Sequence, residues 1–83
     1  MVVPPSEIDA SNADDLADSI RADDSELVIV DCSAITFIDS SGLSVFAAAR
    51  QELNAAGRGI RLENPSAPVK RLLEITDMGD LLT

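Results

Sequence analysis

Histidine, tryptophan and tyrosine are all absent from this chain of 83 residues. Without histidine, no serine hydroxyl can be activated by an imidazole base, so the Ser-His nucleophile systems of hydrolases are excluded. The one cysteine, Cys32, cannot form an internal disulfide, and a single thiol without histidine cannot build a zinc cluster. A buried thiol at the end of a strand is the simplest role for Cys32.

Basic residues are also scarce, because six Lys and Arg stand against fifteen Asp and Glu, for a net charge of -9. The whole imbalance lies in residues 1–40, where Arg21 is the only base among ten acids. An acidic surface repels nucleic acids and anionic membranes, whose binding depends on Lys and Arg. We expect neither as a partner and favour a basic protein surface, although many of these acids need only keep a small domain soluble.

Long hydrophobic runs are missing too. No run approaches the ~18 apolar residues of a membrane span, and the amino terminus lacks the basic and apolar regions of a signal peptide. We therefore expect a cytoplasmic protein. The 46% of hydrophobic residues fall in periodic blocks, which predicts one small folded domain.

The apolar periodicity predicts helices that alternate with strands. The predicted elements are a short helix capped by Ser11, a central parallel strand at residues 27–30 covered on both faces, a loose continuation of that strand at 34–38 with Ile35 and Phe37 on one side, a helix at 41–56, a strand at 59–63, a helix after Ser66 and a closing strand at residues 81–82.

The helix predicted at residues 41–56 carries two stripes. The apolar stripe packs on the sheet and consists of Gly42, Val45, Phe46, Ala49, Leu53 and Ala56. The neighbouring stripe has a mixed character and consists of Leu43, Ala47, Arg50 and Asn54. This second stripe suits a partner surface and an ordinary helix flank equally well.

Asp39, Ser40 and Ser41 stand where an apolar strand gives way to a helix. Right-handed crossovers place this junction at the carboxyl end of the parallel strands, where ligands and functional loops collect. The helix amino terminus offers free amide N–H groups and about half a positive charge, which favour a phosphate there. On these residues alone a helix cap is favoured, with Ser40 or Ser41 contributing about 1 kcal/mol and Asp39 as an accessory acceptor.

Other catalytic and metal-binding arrangements lack a necessary partner. A Ser-Lys dyad would need Lys70 beside Ser40, whereas Lys70 begins a different predicted helix. No glycine-rich phosphate loop is present, and Asp31 and Asp39 have no convergent third ligand for Mg²⁺. We therefore expect no catalytic residue, no metal site and no cofactor.

The order of the sequence motifs adds information that these arguments do not contain. EID at residues 7–9, VIVD at 28–31, FIDSSGL at 37–43 and PSAPVKRLLEITDMGDLL at 65–82 make the chain similar to a STAS domain, and more narrowly to the bacterial anti-sigma factor antagonists. The specific feature is DSSGL followed about 25 residues later by PVKRLL at residues 68–73. The resemblance implies an α/β fold, with a small mixed sheet and helices packed on it, as a single domain over residues 1–83.

The resemblance also implies a function in partner switching. In such antagonists the serine directly after the Asp, here Ser40, is phosphorylated by an anti-sigma factor that is also a serine kinase, and a PP2C-type phosphatase reverses the modification. The unmodified antagonist binds the anti-sigma factor and frees the sigma factor, so that transcription starts. The partner-binding residues implied here are Asp39, Ser41, Gly42, Leu43, Ala47 and Arg50, with Ser41 capping the helix and Gly42 permitting close approach of the partner backbone.

The two ends of the chain depart from the family pattern. Family members usually begin with a further strand and end with a longer strand and helix, so we expect a domain truncated at both ends without an N-terminal edge strand. Pro4 and Pro5 fall where the second strand of the family should run, and two missing N–H donors favour an edge or an irregular segment. An exposed edge invites pairing with another chain, so we also expect a homodimer or strand exchange.

Two other functions stay open. One is a non-phosphorylated STAS scaffold, in a stress-signalling assembly or as the accessory subunit of a lipid-transport complex, and the other is an enzyme. An intact DSSGL segment favours the phosphorylated antagonist, because a scaffold does not need the acceptor serine.

Overall fold

Short parallel strands alternate with helices over residues 1–82, the part of the chain that this computed structural model describes. The elements are β1 (Glu7–Ile8), α1 (Ala13–Ala22), β2 (Leu27–Asp31), β3 (Phe37–Ile38), α2 (Ser40–Ala55), β4 (Gly59–Glu63), α3 (Ala67–Ile75) and a 3₁₀ helix (Gly79–Leu82). The predicted α/β fold is therefore confirmed. No helix within these residues is long and apolar enough to span a membrane.

The central strand is β2, which pairs in parallel with β4 from Leu27 opposite Gly59 to Asp31 opposite Glu63. On its other side, β2 receives a single parallel bridge from Val2 to Val30. β1 and β3 form a second parallel pair, so the prediction that residues 34–38 continue the central strand was wrong. The amino-terminal segment thus runs first beside β2 and then beside β3, so β3 lies beyond the carboxyl end of β2.

Proline positions explain why this amino-terminal segment is interrupted. Pro4 and Pro5 lie in the irregular stretch between the Val2 bridge and β1. A proline offers no N–H to a ladder, so pairing stops after Val2 and resumes only at Glu7.

The central strand is covered on one face, and the prediction of cover on both faces was wrong. Val28 and Val30 are fully buried, whereas Leu27 is 42% exposed and Ile29 is partly exposed. β4 alternates in the same way, with Ile60 and Leu62 buried. An unbroken apolar run shows that both faces of the strand are hydrophobic, and such runs are typical of strands buried on both faces. In this fold the helices cover only one face of β2.

Residues from every layer meet in one hydrophobic core. The predicted stripe of α2 is confirmed for Gly42, Phe46, Ala49 and Leu53, whereas Val45 is half-buried and Ala56 is exposed. The core also receives Leu16 and Ile20 from α1, Val69 and Leu73 from α3, and Leu81 from the 3₁₀ helix.

The prediction that Ser11 caps α1 was wrong, because the backbone N–H and the hydroxyl of Ser11 both donate to the Asp9 carboxylate. The cap position belongs to Asn12, whose side chain donates to the carbonyl oxygen of Glu7 instead of capping the helix. The local Asp9 to Ser11 turn competes with the helix for the same serine.

The closing strand predicted at residues 81–82 is a 3₁₀ helix. Asp77, at φ 56°, turns the chain after α3, and Leu81 is then fully buried while Leu82 is half-buried. The 3₁₀ helix packs against β4. Tandem leucines are compatible with a strand or with a buried helical turn, and packing under β4 selects the turn.

Cys32 occupies the predicted buried position just after β2, with no side-chain exposure. Burial, and secondarily the charge of Asp31, raises the pKa of its thiol to about 12 from an ordinary value of 9.0. Because the folded state retains the proton, this contribution to stability is present below pH 9 and is lost as the pH rises toward 12.

We therefore expect iodoacetamide to alkylate Cys32 far more slowly in the native protein at pH 8 than in the urea-unfolded protein. At that pH the native protein contains about a thousandfold less thiolate, and the sulfur is also inaccessible. Mass spectrometry of timed samples measures both rates, with glutathione as the reference thiol in each solution. Equal rates in the two states would contradict the buried placement.

Candidate functional site

Asp39 connects β3 to α2 and is the cap of that helix. Its backbone is extended, and its carboxylate accepts a hydrogen bond of 2.8 Å from the backbone N–H of Ser41. Its own N–H donates to the carbonyl oxygen of Ile8, which ties the helix start to β1. The capping role that the sequence favoured for Ser40 or Ser41 therefore belongs to Asp39, because the two serines already lie within the first turn.

Ser40 is the first residue of α2, and it is exposed. Its carbonyl oxygen accepts a hydrogen bond of 2.8 Å from the Ser44 hydroxyl. Within residues 1–82, the Ser40 hydroxyl itself makes no hydrogen bond. The Ser40 hydroxyl, which makes no hydrogen bond within residues 1–82, thus lies at the positive end of a helix of 16 residues.

Gly42 lies on the inward side of the same turn. A Cβ atom at this position would be 2.7 Å from Ile8 Cγ2 and 2.8 Å from Ile38 Cγ1. The residue is buried, so it lets β1 and β3 approach the helix and does not form part of an outer surface. The sequence predicted that Gly42 permits close approach of a partner backbone, whereas in the structure it permits close approach of β1 and β3.

The mixed stripe of α2 lies next to Ser40 on the helix surface. Ala47 is half-exposed, and Leu43 is partly buried against the core. Arg50 forms a hydrogen-bonded ion pair of 2.7 Å with Asp80 of the 3₁₀ helix. One edge of this stripe is therefore anchored to the carboxyl-terminal segment.

The opposite flank of α2 lines a groove against α1 with a volume of about 440 Å³. Its walls are mainly small or apolar side chains, and Ser41 and Ser44 lie at one end. At the other end, Arg21 is already paired with Asp18 and Glu52. Ser40 is not among the residues that line the groove, although Ser44, one helical turn further on, is.

The site is acidic on the strand side. Asp9 follows Ile8, to which Asp39 is hydrogen-bonded, and Glu7 stands opposite Phe37 in the β1–β3 pair. Hydrogen bonds from the Ser11 hydroxyl and N–H lower the pKa of Asp9, which keeps it charged at neutral pH. Over residues 1–82, no group of three or more Cys, Asp or Glu side chains is arranged to hold a metal ion.

The sequence matches the STAS domain family over residues 1–83. The chain belongs to the STAS domain family.

A solved structure supports the same fold for this STAS domain. It is similar to the structure of the anti-sigma factor antagonist SpoIIAA in its unphosphorylated form, with a TM-score of 0.78 at 22% sequence identity. The match covers 95% of the STAS domain described here and 72% of the SpoIIAA chain. A search among curated proteins gives no match.

Phe37 is a surface residue of this STAS domain that the sequence did not single out. The pattern placed Ile35 and Phe37 on one side of a strand, yet Ile35 is buried and Phe37 is 48% exposed. The bare outer face of the sheet accounts for this exposure. The available signal was the apolar Ile38 that follows, because side chains alternate along a strand and Ile38 is the one that packs against the core.

The capping bond leads to a stability prediction for this STAS domain. We expect Asp39→Ala to lower the free energy of unfolding by about 1 kcal/mol, because the Ser41 N–H loses its acceptor. Ser66→Ala is the matched control, since Ser66 occupies the cap position of α3 without a side-chain capping bond. Urea unfolding followed by circular dichroism measures both, and equal losses would contradict a specific cap at Asp39.

Proposed function

We propose that this STAS domain is an anti-sigma factor antagonist that binds an anti-sigma factor with serine kinase activity and is inactivated by phosphorylation of Ser40. The observation that carries the proposal is the exposed Ser40 hydroxyl without a hydrogen-bond partner in residues 1–82. Because Asp39 caps α2, a phosphate on Ser40 would not remove a bond that the helix requires. The Ser40 hydroxyl is therefore available to accept a phosphoryl group.

The partner surface proposed around Ser40 uses the exposed side of α2. It consists of Asp39, Ser41, Leu43, Ala47 and Arg50, whereas buried Gly42 supports it from within. A phosphate would add about -1.5 to -2 charge beside Asp39 and a bulky, strongly hydrated group. A partner that fits the unmodified serine would have to desolvate that group, so binding would weaken.

The wider pathway follows from the same proposal. The unmodified domain sequesters the anti-sigma factor and frees a sigma factor, and a PP2C-type phosphatase restores it after phosphorylation. The domain itself acts by binding and not as an enzyme, in the cytoplasm of a bacterium, without a cofactor or contact to nucleic acid. The acidic first half of the chain supports a basic protein partner.

We also propose a homodimer that pairs through the outer edge of β4. Gly59 and Glu63 bond to the β2 side, so the N–H and C=O groups of Ile60 and Leu62 point away from β2. These outward groups have no hydrogen-bond partner in residues 1–82. A monomeric mass by light scattering at high protein concentration would reject this pairing.

Phosphate mapping tests the proposed function. The chain is incubated with a candidate anti-sigma kinase and ATP, and fragmentation mass spectrometry locates the modified residue. We expect phosphate on Ser40 and none on Ser40→Ala. Phosphate on Ser41 or Ser44, or no phosphate at all, would overturn the proposal, and binding without modification would favour the STAS scaffold instead.

A further inference from the structure

We propose that Phe37 is the apolar anchor of the partner interface, and that it inserts into an apolar pocket with a basic rim on the anti-sigma kinase. This inference rests on the proposed function, because the kinase is the protein that must approach Ser40. We call the patch the Phe37 surface and define it by Glu7, Asp9, Phe37 and Asp39.

Strand alternation places Phe37 on the outer face. Ile38 points inward and contacts the core, so its neighbour Phe37 points outward, where 48% of it is exposed. Asp39 keeps an extended backbone, with φ -112° and ψ -171°, and therefore shares the outer side with Phe37. Glu7 is the direct cross-strand neighbour of Phe37.

Charge around the ring defines the partner's chemistry. The side chain of Glu7 is exposed, and those of Asp9 and Asp39 are partly exposed. Glu7 is the cross-strand neighbour of Phe37, Asp39 lies two residues after Phe37 and Asp9 lies two residues after Glu7, so the ring is in an acidic segment of the surface. Neither Asp9 nor Glu7 forms an ion pair with a basic residue in the described part of the chain. A complementary surface therefore offers an apolar pocket for the ring and Lys or Arg around it.

Proximity to Ser40 along the chain distinguishes Phe37 from the similarly exposed Leu27. Three residues of chain span at most about 11 Å, so the ring and the Ser40 hydroxyl fit within one interface. Leu27 is similarly exposed, at 42%, but it lies at the amino end of β2. Phe37 belongs to β3, which lies beyond the opposite, carboxyl end of β2. Aromatic side chains, Phe included, are enriched in the cores of interfaces, where a few anchoring residues carry most of the binding energy.

The test compares Phe37→Ala with Leu27→Ala, which serves as the matched control. The dissociation constant for the kinase that modifies Ser40 is measured by calorimetry with the full chain. We expect Phe37→Ala to bind about ten- to thirtyfold more weakly and Leu27→Ala to bind within about twofold of the wild type. We also expect binding of the wild type to weaken as salt is raised, because the rim contacts are ionic.

A second variant separates binding from folding. Phe37→Leu keeps an apolar side chain, and we expect its loss of affinity to be smaller than that of Phe37→Ala at an unchanged urea midpoint. If Phe37→Ala binds like the wild type while Ser40→Glu loses binding, this inference falls and the proposed function stands. If neither change affects binding, or if the wild type does not bind the kinase, both fall.

Discussion

Gly42→Ala is expected to destabilise this STAS domain by about 2 kcal/mol, although alanine is the better helix former. The added Cβ would come within 2.7 Å of Ile8 and 2.8 Å of Ile38, and both contacts involve branched side chains in or against the core. Overpacking costs roughly 1–3 kcal/mol, and two contacts below 3.0 Å place this case at the upper end, at about 3 kcal/mol, of which the helix propensity of alanine returns about 1 kcal/mol. A domain of this size has roughly 4–12 kcal/mol of total stability, so the loss is large.

Urea unfolding of Gly42→Ala and Gly79→Ala gives a matched comparison. Gly79 also lies in a helical segment, but a Cβ there would meet no atom within 4 Å. We expect the midpoint to fall clearly for Gly42→Ala and to stay near the wild-type value for Gly79→Ala. Similar midpoints for both variants would show that Ile8 and Ile38 move aside without cost.

Gly42 also links the core to the site. It lies in the first turn of α2, two residues after Ser40, and the strands packed on it are β1 and β3. A side chain here would push the start of α2 away from β1 and β3. The glycine in DSSGL is therefore explained by close packing under the site, which the sequence could not distinguish from close approach of a partner.

The elements that the sequence predicted correctly were those long enough for a pattern of apolar residues to be recognised. α1, β2, α2, β4 and α3 meet this condition, and the bounds of α2 differ from the prediction by one residue at each end. The two-residue strands β1 and β3 are too short for a period, and they are held by pairing between residues about 30 positions apart. Only the folded chain specifies that pairing.

Capping and coverage were the features that sequence reasoning could not resolve. Asp39, Ser40 and Ser41 are all good capping residues, and the choice depends on which of them has extended backbone. Likewise, residues 27–30 are apolar on both sides of the strand, but tertiary packing decides that only one side is covered. The exposure of Phe37 likewise depends on which face of the strand is covered, so it could be read only from the folded structure.

The candidate site itself was predicted from resemblance more than from physical argument. Residue chemistry alone favoured a structural cap, and the structure assigns the cap to Asp39, which leaves the Ser40 hydroxyl unused among the described residues. The resemblance named Ser40 as the acceptor, and that role remains a proposal. Its exposure at the start of α2 makes the role testable by charge substitution.

Ser40→Glu is expected to weaken binding of the anti-sigma kinase by about 150-fold, which corresponds to about 3 kcal/mol, whereas Ser40→Ala keeps wild-type affinity. The carboxylate brings charge and hydration to the contact point, and a partner that fits a small hydroxyl must desolvate it. Calorimetric titration of the kinase with each variant measures the change. Equal affinity of Ser40→Glu and Ser40→Ala would contradict the switch.

Gln51→Glu supplies the control for charge alone. Gln51 is exposed on α2, eleven residues after Ser40, so the substitution adds the same charge to the same helix about 16 Å away. A negative group in the first turn of a helix is favourable, so Ser40→Glu should keep or raise the urea midpoint while binding falls. Opposite directions for stability and affinity would place the effect at the interface, whereas equal weakening by Gln51→Glu would reduce it to net charge.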